Sequence, residues 1–440
     1  MTSYTMQKFS RTREIVLGCV LLGGVGFADS KSYQPAAGDV AWRTWATREE
    51  IAPLTQRDTQ VFRSAPESLY ISGNGNAAAH GGWVYPVTEV EAGRWYRFSA
   101  FLKTEGIDSP RLQSVARLDW RTVEGKTAGR PDYPFERSAV GDWVQLTLDV
   151  PAPEKAESVE IQLYLANAAN GKIWWDGVSF DEIETPLPRT VKVSTINLQP
   201  RRTGSARESV SRFLNVVHSE VETDADIILL PEAITLVGTG LKYVDVAETI
   251  PGPTTERLAK AARAKSSYLV AGLLERDGPA VYNTAVLLDR EGKLAGKYRK
   301  VYLPREEIEG GVTPGNEYPV FKTDFGTVGM MICWDAQYAD PARALALRGA
   351  ELLLVPIWGG NEVLGKARAI ENHVFMATAG YGYPTYVMDP MGETLAIASE
   401  EGQVATATID LNRRYTDDWL GWMRGRFMHE LRTDVAVEPR

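Results

Sequence analysis

The chain has 440 residues, 44% of them hydrophobic and 24% charged, with a formal net charge of −9. That length exceeds one ordinary domain and implies two or three, with apolar material for more than one core. The acidic balance argues against nucleic acid or an anionic membrane surface as a partner.

Residues 1–28 stand apart. Lys8, Arg11 and Arg13 make a basic start, residues 15–27 are apolar and glycine-rich, and Ala28 has Gly26 two places before it. This is the layout of a secretory signal peptide cleaved near Ala28, and it predicts a secreted or periplasmic protein. The apolar run is too short for a comfortable membrane span. Of the two cysteines, Cys19 lies in this segment and Cys333 alone remains beyond it. The processed chain therefore has no intramolecular disulfide, in a compartment that would permit one. A lone thiol there is either buried and inert or kept for chemistry.

Residues 31–187 read as all-β. Tyr96, Phe98, Ala100 and Leu102 alternate with Arg97 and Ser99. The same period of two runs through Val144, Leu146, Leu148 and Val150, and through Val159, Ile161, Leu163 and Leu165. Turn residues such as Gly93, Gly141, Pro151 and Gly177 punctuate the runs. Short strands with such turns predict a jelly-roll β-sandwich. Trp83, Trp95, Trp120, Trp174 and Trp175 offer flat faces for sugars, with Asp119 and Arg121 available for hydroxyls. Core packing is the competing reading for each tryptophan. The run Ile173-Trp174-Trp175-Asp176-Gly177-Val178 closes an arrangement that resembles galactose-binding-like jelly rolls and carbohydrate-binding modules. The resemblance implies a glycan as a partner of this accessory domain.

After Pro186-Leu187-Pro188 the character changes. Strands are expected at 191–198, 225–230, 268–273, 283–289, 328–332 and 352–356. Helices are expected at 207–221, 254–265, 341–348 and 365–379, the second capped by Thr254 or Thr255 and the third by Asp340. Alternation of this kind defines an α/β layered domain, placed at 189–432.

Three reactive residues in that domain each follow an apolar strand. Leu230-Pro231-Glu232 ends in a carboxylate, Lys297-Tyr298-Arg299-Lys300 offers a cation, and Met331-Ile332-Cys333-Trp334-Asp335 carries the thiol. A base, a cation and a thiol suffice for a hydrolase. Glu232 is the base expected to activate Cys333. Lys300 and the backbone N–H of Trp334 stabilise the oxyanion of an attacked carbonyl. Glu232-activated water then opens the thioester. The four histidines, His80, His218, His373 and His429, are scattered without ligand spacing, which argues against a metal. No Gly-x-Ser-x-Gly elbow and no phosphate-cradling glycine-rich loop is present, which argues against rival hydrolase and nucleotide sites, and the expected chemistry uses no cofactor.

The three motifs in this order, with Pro341-Ala342-Arg343 and Gly349-Ala350-Glu351 behind the thiol, resemble the nitrilase (carbon–nitrogen hydrolase) superfamily over about residues 190–432. The resemblance implies an α-β-β-α sandwich, a Glu–Lys–Cys triad and a homo-oligomer. It also implies a second glutamate between Lys and Cys, assigned to Glu307 with Glu309 as the alternative, and a pocket that includes Tyr302, Asp335 and Trp358. Nitrile-active members tend to carry Glu where Asp335 stands, so Cys333-Trp334-Asp335 is more similar to the amidase and carbamoyl-hydrolase branches. The expected reaction is hydrolysis of a small linear amide or N-carbamoyl compound. A nitrilase or an amide-forming acyltransferase is the alternative on the same site. A carbohydrate-binding protein on an inactive hydrolase scaffold would need a broken triad, and all three residues are present.

Overall fold

A computed structural model describes residues 30–64, 66–381 and 384–435. The expected signal peptide, with Cys19, lies outside the described residues.

The first part is a sandwich of two antiparallel sheets, one of seven strands and one of four. Its strands run from Ser32–Tyr33 to Lys172–Ile183, interrupted by a single short α-helix, Pro110–Gln113. The alternation seen in the sequence is the inner face of these strands. Tyr96, Phe98, Ala100 and Leu102 of strand Trp95–Glu105 meet Val159, Ile161, Leu163 and Leu165 of strand Ser158–Ala166 in one core. Trp120 and Trp175 are fully enclosed there, and Trp83 and Trp174 are 7% exposed. These four rings cannot lie flat on a sugar, because their faces are spent on packing, Trp83, Trp120 and Trp175 in the core and Trp174 in a separate cluster with Tyr70 and Trp143. Trp95 alone of the five is half-buried. Asp119 is buried and bound by Arg121 at 2.6 Å. The sugar-stacking reading is therefore corrected for Trp83, Trp120, Trp174 and Trp175, which are buried in the sandwich.

The chain leaves this part at Ile183 and begins the next strand at Thr190. Two six-stranded mixed sheets follow. In the first, Thr190–Ile196, Ile227–Leu229 and Tyr268–Asp277 run parallel, and antiparallel strands flank them. In the second, Thr327–Met330, Leu352–Pro356 and Phe375–Ala379 repeat that parallel arrangement. The sheets face each other through Val193, Leu229 and Val270 on one side and Met330, Leu352 and Leu354 on the other. Helices Ala206–Ser219 and Pro253–Lys265 cover the outside of the first sheet through Val210, Phe213, Leu258 and Ala262. Helices Ala339–Leu347 and Glu362–Asn372 cover the second through Ala342, Leu345 and Ala369. The architecture is an all-β sandwich followed by an α-β-β-α sandwich, as expected.

Three local expectations need correction. The helix expected over 365–379 is a helix that stops at Asn372, a left-handed His373 at φ 52°, and the central strand Phe375–Ala379. A short apolar run buried on both faces has no period to distinguish strand from helix. The helix expected from 254 starts at Pro253. Its N-cap is Gly252, whose N–H donates to Thr255 Oγ1 at 2.7 Å, so Thr255 caps from inside the first turn. Asp340 lies inside helix Ala339–Leu347, and its carboxylate accepts from the Tyr302 hydroxyl.

The two parts are tied at the C-terminal end. His429, on helix Met423–Glu430, sets its Nδ1 2.6 Å from Arg111 O and its Nε2 2.9 Å from Pro134 O, and donates its one ring N–H to one of these carbonyls, and Arg414 pairs with Asp132.

Candidate active site

Glu232, Lys300 and Cys333 come from three different strand ends. Ile227–Leu229 is a buried parallel strand, and Pro231 breaks it so that Glu232 turns out of the sheet beside Ala233 at φ 49°. Close packing behind this turn depends on Gly272. A Cβ there would meet Glu232 Cα at 2.7 Å and Ala233 N at 3.0 Å. Both are backbone atoms and neither can swing away. Gly272→Ala is therefore expected to cost about 1–3 kcal/mol of stability through overpacking and to lower turnover by displacing Glu232. A denaturation midpoint and turnover both unchanged from the parent would show that the turn has room.

Lys300 follows strand Leu294–Arg299 and is 1% exposed. Its backbone is held between strands: the Lys300 N–H donates to Asn283 O at 2.8 Å, and Lys300 O accepts from Gly315 N at 2.8 Å. The ammonium donates to Glu232 Oε1 at 2.8 Å and to Glu307 Oε1 at 2.5 Å. Asn283 Nδ2 spans the same two carboxylates, at 2.7 Å to Glu232 Oε1 and 3.2 Å to Glu307 Oε2. Burial alone would lower the Lys300 pKa, but the charges of Glu232 and Glu307 outweigh it and raise it, so the ammonium stays protonated. For Glu307 burial is the leading influence and raises its pKa, against the opposing pull of Lys300. The other oxygen of the first carboxylate, Glu232 Oε2, is buried and has no hydrogen-bond partner among the described residues.

Cys333 opens a 3-10 turn, Cys333–Gln337, after strand Thr327–Met330. It sits at φ 43°, a left-handed backbone that a non-glycine residue adopts only where its surroundings hold it. Its sulfur donates to Gly359 O at 3.3 Å. Burial first, and then the Glu232 charge, push the thiol up to about 12, while Lys300 and backbone bonds at Gly359 and Trp358 pull the other way. The resting sulfur is therefore a thiol at neutral pH, and an attacking thiolate needs a base. Arg368, 6% exposed, holds the turn by donating to Ala336 O at 3.1 Å and Gln337 O at 3.3 Å.

The remaining expected residues separate. Glu307 joins Lys300, whereas Glu309 at the end of the same short helix, Arg305–Glu309, is exposed. Trp334 is the second residue of the Cys333 turn, with its side chain 38% exposed. Trp358 is 40% exposed and meets Tyr381 edge-on at 4.9 Å. Tyr302 stacks on Tyr338 at 4.2 Å. Asp335 does not line a pocket. It is fully buried, accepting from Tyr302 N at 2.9 Å, Ile332 N at 2.9 Å and the Tyr298 hydroxyl at 2.7 Å. It braces the turn that carries Cys333 against the loop that carries Lys300. Burial is the main reason its pKa is raised to about 6. Asn283, Gly272, Arg368 and Tyr381, whose hydroxyl donates to Glu232 O at 2.5 Å, were not singled out from the sequence. Among the described residues no three His, Cys, Asp or Glu side chains group as a metal set. The two converging carboxylates are bridged by an ammonium.

The chain has relatives. Residues 192–417 match the carbon-nitrogen hydrolase family, and the chain belongs to it. The match does not extend into the β-sandwich that precedes it. Among curated proteins, the chain is 31% identical over 251 residues to omega-amidase NIT2 of Mus musculus, covering 51% of this chain and 90% of that protein. Among solved structures it is similar to a carbon-nitrogen hydrolase from Helicobacter pylori G27, at 21% identity and TM-score 0.47, covering 56% of this chain and 96% of that one. It is also similar to a variant of the amidase from Nesterenkonia sp. AN1 in complex with acrylamide, at 24% identity and TM-score 0.44, covering 51% and 92%.

Proposed function

We propose that the chain is a thiol amidase that hydrolyses a linear amide or N-carbamoyl compound, with Cys333 as nucleophile, Glu232 as general base and Lys300 as oxyanion partner. The observation that carries this reading is the split environment of Glu232. One oxygen is fixed by Lys300 and Asn283, while the other is buried without a partner among the described residues and the carboxylate's charge is felt at Cys333. A carboxylate so placed can take the thiol proton as sulfur bonds to the carbonyl carbon. The carbonyl oxygen becomes an oxyanion, neutralised by the Lys300 ammonium and the Trp334 N–H. The C–N bond breaks as the proton on Glu232 passes to the leaving nitrogen, so ammonia or an amine departs and a thioester remains. Water then gives a proton to Glu232 as its oxygen adds to the thioester carbon, and as the C–S bond breaks Glu232 passes that proton to the departing sulfur, releasing the acid and restoring the thiol and the carboxylate. Glu307 keeps Lys300 oriented throughout. Membership of the hydrolase family and the similarity to an omega-amidase support this class of substrate.

Ammonia release from a panel of short linear amides, N-carbamoyl amino acids and nitriles tests the reading. Turnover is expected for amides or carbamoyl compounds and not for nitriles. Release from nitriles alone, or from nothing in the panel, would contradict it.

A further inference from the structure

One cavity of the described residues lies apart from Cys333. It measures about 1080 Å³ and lies between the β-sandwich and the hydrolase, with both contributing walls. In a chain of net charge −9, this cavity gathers eight arginines, no lysine and four carboxylates. Three of the arginines are answered: Arg97 by Asp149, Arg189 by Glu351 and Arg414 by Asp132. The other five, Arg111, Arg137, Arg348, Arg413 and Arg424, make no ion pair among the described residues. Arg137 donates to Pro110 O and Ser114 O, Arg424 to His373 O and Ala350 O, and Arg348 to Tyr318 O. Carbonyl oxygens satisfy N–H groups without cancelling charge. Two donors remain over: Arg137 Nε and Arg414 Nη1 are buried with no partner among the described residues. The absence of a counter-charge is also felt in protonation. Burial, and after it the neighbouring Arg111, pull the Arg137 guanidinium down to about 10.

Arg111, Arg137 and Arg424 are partly buried and Arg348 and Arg413 exposed, and with Glu136 and Asp410 as the remaining carboxylates of the wall the arginines stay in excess. Partly buried guanidinium groups in such excess favour an anion. The planar guanidinium fork matches carboxylate and phosphate oxygens two at a time. The volume exceeds that of a single inorganic anion, and Trp95, Phe135 and Trp422 add aromatic wall. We propose that this cavity binds an organic polyanion, a compound carrying two or more carboxylate or phosphate groups. Because Arg111 and Arg137 belong to the sandwich and Arg348, Arg413 and Arg424 to the hydrolase part, such a ligand ties the two together.

Calorimetric titration of the full chain with citrate, tripolyphosphate and digalacturonate, each against sodium chloride of matched ionic strength, tests this. Saturable binding of at least one probe is expected, and which one binds separates carboxylate from phosphate chemistry. Arg137→Gln should weaken it about tenfold, the loss of one charge-assisted contact. Arg413→Gln should do the same without a risk to folding, since its exposed side chain only covers the Tyr415 ring. That variant should leave amide turnover without anion unchanged. Heats no larger than those of sodium chloride for all three probes, or binding unaltered in both variants, would overturn the proposal.

Discussion

Cys333→Ala is expected to remove amide turnover, by ~10⁴-fold or more, because no other group can form the acyl intermediate. Stability should change little, within about 1 kcal/mol. The sulfur is small and partly accessible, at 9% exposure, and its hydrogen bond is a single contact to Gly359 O. Alanine inherits the same left-handed backbone that Cys333 already occupies at φ 43°. Ammonia release and thermal melting of the same preparation check both halves. Residual turnover within tenfold of the parent would remove Cys333 from the mechanism, whatever the melt showed.

Lys300→Met should damage activity and stability together. The substitution keeps the length of the side chain and removes the charge that Glu232 and Glu307 share. Two buried carboxylates would then face each other without a cation, at a cost of about 3–5 kcal/mol at neutral pH. The sign of its pH dependence follows. The Glu307 pKa already stands above its ordinary 4.5, chiefly through burial, and loss of the ammonium raises it further. A carboxyl whose folded pKa is raised contributes full stability below the unfolded value and loses it as pH rises through the folded value. The deficit of Lys300→Met relative to the parent should therefore shrink from about pH 8 to about pH 5. Equal deficits at both pH values, measured by denaturant unfolding, would mean that Glu307 and Glu232 are not the source of the penalty.

Sequence alone carries the strand ends that bear Glu232 and Cys333, because a short apolar run closed by a proline or a polar residue is a local signal, whereas the strand before Lys300, Leu294–Arg299, is largely polar and is not among the expected strands. What supports them is not local. Asn283 reaches both glutamates only because its carbonyl is paired with the Lys300 N–H across neighbouring strands. Register of that kind has no signature in a single sequence. Tyr381 meets Glu232 from a segment far along the chain. The choice between Glu307 and Glu309 is a matter of rotation. Residues two apart on a helix point about 200° apart, so only one can face Lys300. Asp335 shows the opposite failure. Its proximity in sequence to Cys333 suggested a pocket group, yet the turn folds it inward, where three donors hold it. The tryptophans of the sandwich misled for a similar reason: alternation locates a residue on a face but does not tell the inner face from the outer one. The arginine cavity was invisible because its members are drawn from segments spread between Arg97 and Arg424 and meet only when the two parts dock.

The most direct test of the account is the mass of the protein during turnover. The full chain, mixed with a responsive amide and quenched in acid through the first turnover, should gain the mass of the acyl group. Peptide mapping should confine that gain to the segment carrying Cys333, and hydroxylamine should remove it as it removes a thioester. An acyl group on any other residue, or ammonia released through a full turnover with no adduct at any time, would contradict a mechanism built on Cys333.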